Sequence, residues 1–189
     1  MMLEKLLTFK AIVAAFATIV TISSPGIVSA QSQGEAELLS QLAEANPEAA
    51  ARLDRELRAK WDKSGSATMD LLLRRGQDAI DRGELQVAME HLTALVDHAP
   101  DFAAGWLKRS EVLARMDKFG PAVADLERAL ALNPNDYDAL FILGSVFEHF
   151  LDPKNAYEAY ERAKAIHPHH EEVTKALERL APSVMGKEL

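Results

Sequence analysis

AAGWLKRSEVLARMDKFGPAVADLERALALNPND, residues 103–136, carries the pattern that decides the fold. Trp106, Ser110 and Leu113 recur at helical spacing, and so, further on, do Ala122, Leu126 and Ala129. Between the two stripes lie the turn residues Asp117-Lys118-Phe119-Gly120, and Pro134 stands near the end. The stretch therefore reads as two amphipathic helices folded back on one another. The same pattern continues on both sides without insertion. Pro100, Pro134 and Pro168 stand 34 residues apart, which sets three windows: 69–102, 103–136 and 137–170.

Laid over one another, the windows agree in residue size. Position 4 holds Leu72, Trp106 and Leu140; position 8 holds Gly76, Ser110 and Gly144. Position 20 holds Ala88, Ala122 and Ala156; position 24 holds Leu92, Leu126 and Tyr160. Small residues at 8 and 20 let the paired helices approach, and large ones at 4 and 24 fill the space around them. Position 27 holds Leu95, Ala129 and Ala163, so Leu95 is expected to splay the first unit. Asp81-Arg82-Gly83 and Leu151-Asp152-Pro153 supply the other two internal turns, with Asp152 as a cap and Pro153 at a first helical position. The repeated prolines are expected to end each loop and start the next helix.

This pattern resembles the tetratricopeptide repeat family over residues 69–170. Ser110, where the family usually has glycine, and Leu95, where it usually has alanine, are the departures. The resemblance implies an all-α solenoid of three helix–turn–helix repeats. A helix over 171–180, with Val173, Ala176, Leu177 and Leu180 on one side, would cap it and end at Ala181-Pro182, leaving a mobile tail over 181–189.

Upstream, residues 1–30 read as a secretory leader: Lys5 and Lys10, an apolar run, a break at Ser23-Ser24-Pro25-Gly26, then Val28-Ser29-Ala30 for a cut after Ala30. Such a leader implies a periplasmic or secreted protein without stable membrane insertion after its removal. The absence of cysteine excludes disulfides, a lipoprotein anchor and cysteine-based metal sites or nucleophiles, and together with the lack of glycosylation sequons fits a bacterial periplasm. Residues 31–66 form a helical prefix and linker ahead of the repeat domain, 67–180. One helix is expected over 35–45, and a second follows Asn46-Pro47 with Ala50, Leu53, Leu57 and Trp61 on one stripe. The prefix either packs on Leu71 and its neighbours or stands apart as a stalk, with Trp61 as its docking residue.

The chain carries a net charge of −8, so nucleic acid and anionic membranes are unsuited as partners. No phosphate loop, nucleophile elbow or dinucleotide fingerprint is present, and neither an enzyme nor a cofactor is expected. His167, His169 and His170 form the one metal-like cluster; placed at an exposed turn, they support a metal-binding alternative.

In the family, the first helices of successive units line a concave groove. The resemblance places Leu73, Arg74, Gln77, Leu107, Lys108, Glu111, Phe141, Ile142, Ser145 and His149 there. Leu73, Leu107, Phe141 and Ile142 form an apolar strip beside two cations, suited to a peptide segment of another protein bearing some negative charge. Leu73 and Phe141 are open to a second reading, as packing residues between units. One subgroup of the family grips chaperone C-terminal carboxylates through basic residues; Leu73, Asp138 and Ile142 occupy those positions here and do not support that use. The implied function is non-catalytic: an adaptor or assembly factor, with self-association as the alternative, through an exposed apolar end of the array or through the prefix of another copy lying in the groove.

Overall fold

The computed structural model describes residues 30–186, and the chain divides into units 1–33 and 34–189. The predicted leader up to residue 29, and residues 187–189 of the predicted tail, lie outside the described residues. Among the described residues nine helices follow one another: α1 (Ala30–Glu44), α2 (Pro47–Trp61), α3 (Ala67–Asp81), α4 (Leu85–His98), α5 (Ala103–Arg115), α6 (Phe119–Leu132), α7 (Tyr137–His149), α8 (Pro153–Ile166) and α9 (Glu171–Met185). Helices α3/α4, α5/α6 and α7/α8 are the three repeat hairpins. Each packs on the next, and α3, α5 and α7 also lie side by side, which makes the first helices the inner layer of an all-α solenoid.

Each hairpin closes in the same way. The Glu84, Lys118 and Asp152 amides donate to the carbonyls of Ala79, Leu113 and Phe147 at 2.9, 2.8 and 3.0 Å. One residue earlier, the Gly83, Asp117 and Leu151 amides donate to Ile80, Ala114 and Glu148. These two nested bonds form a Schellman motif, whose C′ residue must be left-handed. Gly83, Asp117 and Leu151 have φ of 73°, 58° and 56°. Glycine meets the demand without steric cost; aspartate and leucine do not.

The repeated prolines stand elsewhere than expected. Each is the second residue of a β-turn between units: Phe102, Asp136 and His170 donate to Ala99, Asn133 and His167 across Pro100, Pro134 and Pro168. The fixed φ of proline suits that position, and the following helix starts three residues later. Phe119 and Gly120, placed in the turn by sequence, belong to the first turn of α6.

Small residues do bring the paired helices together. A Cβ on Gly76 would lie 2.7 Å from Leu92, and one on Gly144 would overlap the Tyr160 ring. At the same place in the second unit Ser110 is buried, its hydroxyl donating to the Leu107 carbonyl at 2.6 Å. Leu95 packs over Gly105 of the following unit, where an added Cβ would come within 3.1 Å of it. The volume expected to open the first hairpin is thus taken up by a missing side chain in the second.

Helix α9 covers the end of the array, with Val173, Ala176, Leu177 and Leu180 buried and Arg179 on both Glu148 oxygens at 2.6 and 2.8 Å. It runs past its expected end at residue 180, with Pro182 inside. In this exposed last turn proline forfeits only one backbone bond, and Gly186 still donates to its carbonyl at 3.2 Å.

Candidate functional site

Helix α2 decides what the inner face looks like. Asn46 caps it, accepting from the Ala49 amide at 2.9 Å, and Pro47 takes the first helical position. Its apolar stripe is Ala50, Leu53 and Leu57, at most 2% exposed. Burying the two leucines contributes about 1.5–3 kcal/mol each. Helix α2 is not a stalk, and Leu71, its expected seat, is 40% exposed. Its polar edge instead faces the inner layer of the repeats.

Arg58 is the centre of that contact. Its Nε donates to Asp54 of the same helix at 2.8 Å, and its two terminal nitrogens engage both oxygens of Asp138 at the start of α7, one of them at 3.0 Å. The Tyr137 hydroxyl donates to Asp54 at 2.8 Å. The Trp61 and Tyr137 rings meet at 5.4 Å, and the Trp61 indole N–H donates to Glu35 of α1 at 2.9 Å. Gln77 of α3 donates to Asp62 at 3.3 Å. A cleft of about 170 Å³ between α2 and the inner layer is lined by Arg58, Trp61, Gln77, Leu107, Lys108 and Asp138, among others. Helix α2 therefore holds α7 through Arg58 and Asp54, reaches α3 through its cap Asp62, and faces α5 across the cleft.

Burial would push the Asp138 carboxyl up, but His170 and the Arg58 guanidinium outweigh it and hold the group below the usual range. Burial, aided by neighbouring Asp138, pushes Asp136 up to about 7. Asp136 caps α7, accepting from the Asp138 and Ala139 amides at 3.1 Å each.

The histidines do not form the exposed cluster expected from sequence. His167 and His170 are buried, because the Tyr137 ring sits edge-on to them at 5.1 and 6.0 Å. His170 caps α9 through Nδ1, accepting from the Val173 amide at 3.4 Å, with Nε2 3.5 Å from Asp138. His167 lies 3.8 Å from Asp54, and its Nδ1 is buried without a partner. Burial holds the His167 ring below its ordinary pKa. His169 is exposed and its Nε2 meets the Ala45 carbonyl at 2.9 Å. Among the described residues no three such side chains are arranged to hold a metal ion. The metal-binding alternative loses its geometric basis.

The ten predicted groove residues separate. Gln77, Leu107 and Lys108 face α2 across the cleft. Leu73 belongs to the core with Leu92 and Leu95 and is 1% exposed, which corrects its place in the groove. Phe141 is half-buried, stacked on His170 at 5.6 Å, with Ile142 half-buried beside it. Arg74 is exposed. Glu111 pairs with Lys108 at 3.2 Å and Arg115 at 2.7 Å. Ser145 Oγ donates to the Phe141 carbonyl and lies 3.1 Å from the Tyr160 hydroxyl. His149 stacks on Phe119 at 3.8 Å, at the turn end of its hairpin. Sequence reasoning missed Tyr137, Asp54 and Arg58. The available signal was Tyr137 itself, a large aromatic where the other units have Met69 and Ala103.

Comparison with known proteins agrees with this architecture. A family model described as "Tetratricopeptide repeat" matches residues 107–171. A TPR repeat-containing protein of Rhizobium etli is 27% identical over 151 residues, covering 79% of this chain and 74% of its own length. The first TPR domain of Spaghetti (RPAP3), solved with the HSP90 peptide SRMEEVD, superposes with a TM-score of 0.60 at 23% identity, over 64% of this chain and 95% of that one. The MamA protein superposes with a TM-score of 0.57 at 22% identity, over 84% of each chain. Period and hairpin geometry agree with the family match: residues 107–171 carry the tetratricopeptide repeat pattern, and the chain is similar in fold to these repeat proteins.

Proposed function

We propose that the chain is a non-catalytic protein-interaction module, an adaptor or assembly factor of the bacterial periplasm, whose concave face takes a helical segment of a polypeptide. The observation that carries this is the seat of α2 across α3, α5 and α7. It supports a groove suited to an amphipathic helix: an apolar stripe buried on one side, an aspartate and an arginine one turn apart meeting Tyr137 and Asp138 on the other. The leader read over residues 1–30 supports the compartment.

The test is site-specific photo-crosslinking in a bacterial envelope. A photoreactive residue replaces Lys108 on the inner face or Glu90, exposed on α4, in the second layer. Crosslinks to a polypeptide other than the probe's own chain are expected from position 108 and not from position 90. Crosslinks from position 90 alone would overturn the groove as the site. The same cells report the compartment: retention of the full leader on a cytoplasmic protein would overturn the periplasmic assignment.

A further inference from the structure

The occupant of the groove need not come from the same chain as the groove. Helix α2 with its C-cap Asp62 is joined to α3 by residues 63–66 alone. In that hinge Gly65 has φ of 82° and open space around its Cα, and Lys63 and Ser66 are exposed. The contacts of α2 with the repeats described above are made by side chains: Arg58 to Asp138, Asp54 to Tyr137, Asp62 to Gln77, Trp61 to Tyr137. Reaching the same groove on another molecule breaks none of them permanently, since the same pairs re-form between chains. Only the hinge changes: Gly65 has wide conformational freedom, and the bonds that the Ser64 amide and hydroxyl donate to Asp70, at 2.8 and 2.6 Å, are the ones exchange must open or carry along.

Resting on the groove reading above, we infer that its partner is a second copy of this chain, with α2 of each molecule seated on the Tyr137–Asp138 face of the other. Complementarity here is built in: a guanidinium meets a carboxylate held in its charged form, and an acid accepts from a phenol. A second copy is the one partner certain to carry both halves. The short hinge keeps the closed monomer favoured when dilute, because a tether of a few residues holds α2 at a millimolar effective concentration. Exchange therefore takes over as the protein is concentrated, or when the closed pairing is weakened.

Charge reversal tests this directly. R58D places two negative groups opposite each other within one chain, and D138R places two positive ones. Exchange between the two variants restores opposite charges at both interfaces. An equimolar mixture should run as a heterodimer of doubled mass by light scattering, while each variant alone stays monomeric. If the mixture stays monomeric although the double variant R58D/D138R recovers the wild-type melting temperature, the pairing works only within a chain and the inference is overturned.

A second pair guards against misfolding of the charge variants. The chain has no cysteine, so D62C and Q77C chains mixed in equal amounts report exchange through a short bis-maleimide crosslinker. Mixed covalent dimers that increase with concentration are expected. Their absence at millimolar protein, with D62C/Q77C in one chain crosslinking internally as control, would overturn it. Such a failure leaves the crosslinks from position 108 to a different polypeptide unaffected, so loss of this inference is distinguishable from loss of the interaction module.

Discussion

Arg58 and Asp138 lie 80 residues apart in sequence, and the guanidinium of one holds both oxygens of the other. Asp138 stands on the inner face of α7, so this pair fixes α2 onto the solenoid. The pair is partly exposed on the arginine side, which discounts its electrostatic worth. Arg58→Ala is expected to cost about 1–2 kcal/mol, combining the lost pair and the lost packing of the long side chain. The loss should be local. Hydrogen exchange of the amides in 47–61 should accelerate, with those of α5 and α6 unchanged. Uniform acceleration across the repeats would show that α2 is an integral part of the fold rather than a docked element.

The left-handed residue of the third hairpin is leucine, and its side chain is 89% exposed. Leu151→Gly relieves the backbone without removing buried surface. A gain of about 0.5–1 kcal/mol is expected, since the 1–2 kcal/mol cost of a left-handed residue is partly offset by the greater chain entropy of unfolded glycine. Urea denaturation measures it. Gly83→Leu, the reverse change in the first hairpin, should destabilise. A loss in both variants would mean that Leu151 makes a contact worth more than its strain.

Leu95 and Gly105 form a complementary pair across the first two units. Gly105→Leu is expected to destabilise by about 1–3 kcal/mol through overpacking, and Leu95→Ala by about 2–4 kcal/mol through the cavity it leaves. Combined, the two changes should cost less than their sum, because each supplies what the other lacks. Additive melting shifts would show that the two sites do not share one space.

Asp136 carries a pH dependence of defined sign. Its folded pKa is raised to about 7, so the folded state holds the proton more tightly than the unfolded chain. That contribution favours the fold at low pH and is lost as pH rises from the unfolded carboxylate range through about 7. His167, with its pKa lowered by burial, works against it below about 6.5, the ordinary histidine value. Asp136→Asn keeps an acceptor at the cap and removes the charge. The variant should be more stable than wild type at pH 8, by about 1–3 kcal/mol, and close to it at pH 5. Melting temperatures at the two values decide; equal gains at both would remove the titration from the account.

The repeat was legible because its cause is local and recurs. Gly76 and Gly144 face Leu92 and Tyr160 at a fixed offset, and Asp152-Pro153 caps and opens α8 as read. The seat of α2 was not legible. Asp54 and Arg58 stand one turn apart, and in sequence that spacing is satisfied by the pair itself. Nothing local says that the same two side chains also reach Tyr137 and Asp138. Nor does periodicity resolve a rotation of part of a turn about a helix axis, which separates buried Leu73 from Gln77 on the same helix. The histidines were misplaced for a similar reason: a proline turn reads as exposed until Tyr137, thirty residues earlier in the chain, covers it.

Leu95 over Gly105 also gives the array a reading direction. In the third unit the residue aligned with Gly105 is Ala139, and in the first it is Leu71; in the second unit the residue aligned with Leu95 is Ala129. A rearranged gene that set the first hairpin directly before the third would press Leu95 against a methyl group. One that doubled the first hairpin would press it against a whole leucine. The three hairpins share a backbone but are not interchangeable parts: their order is written into the seams between them.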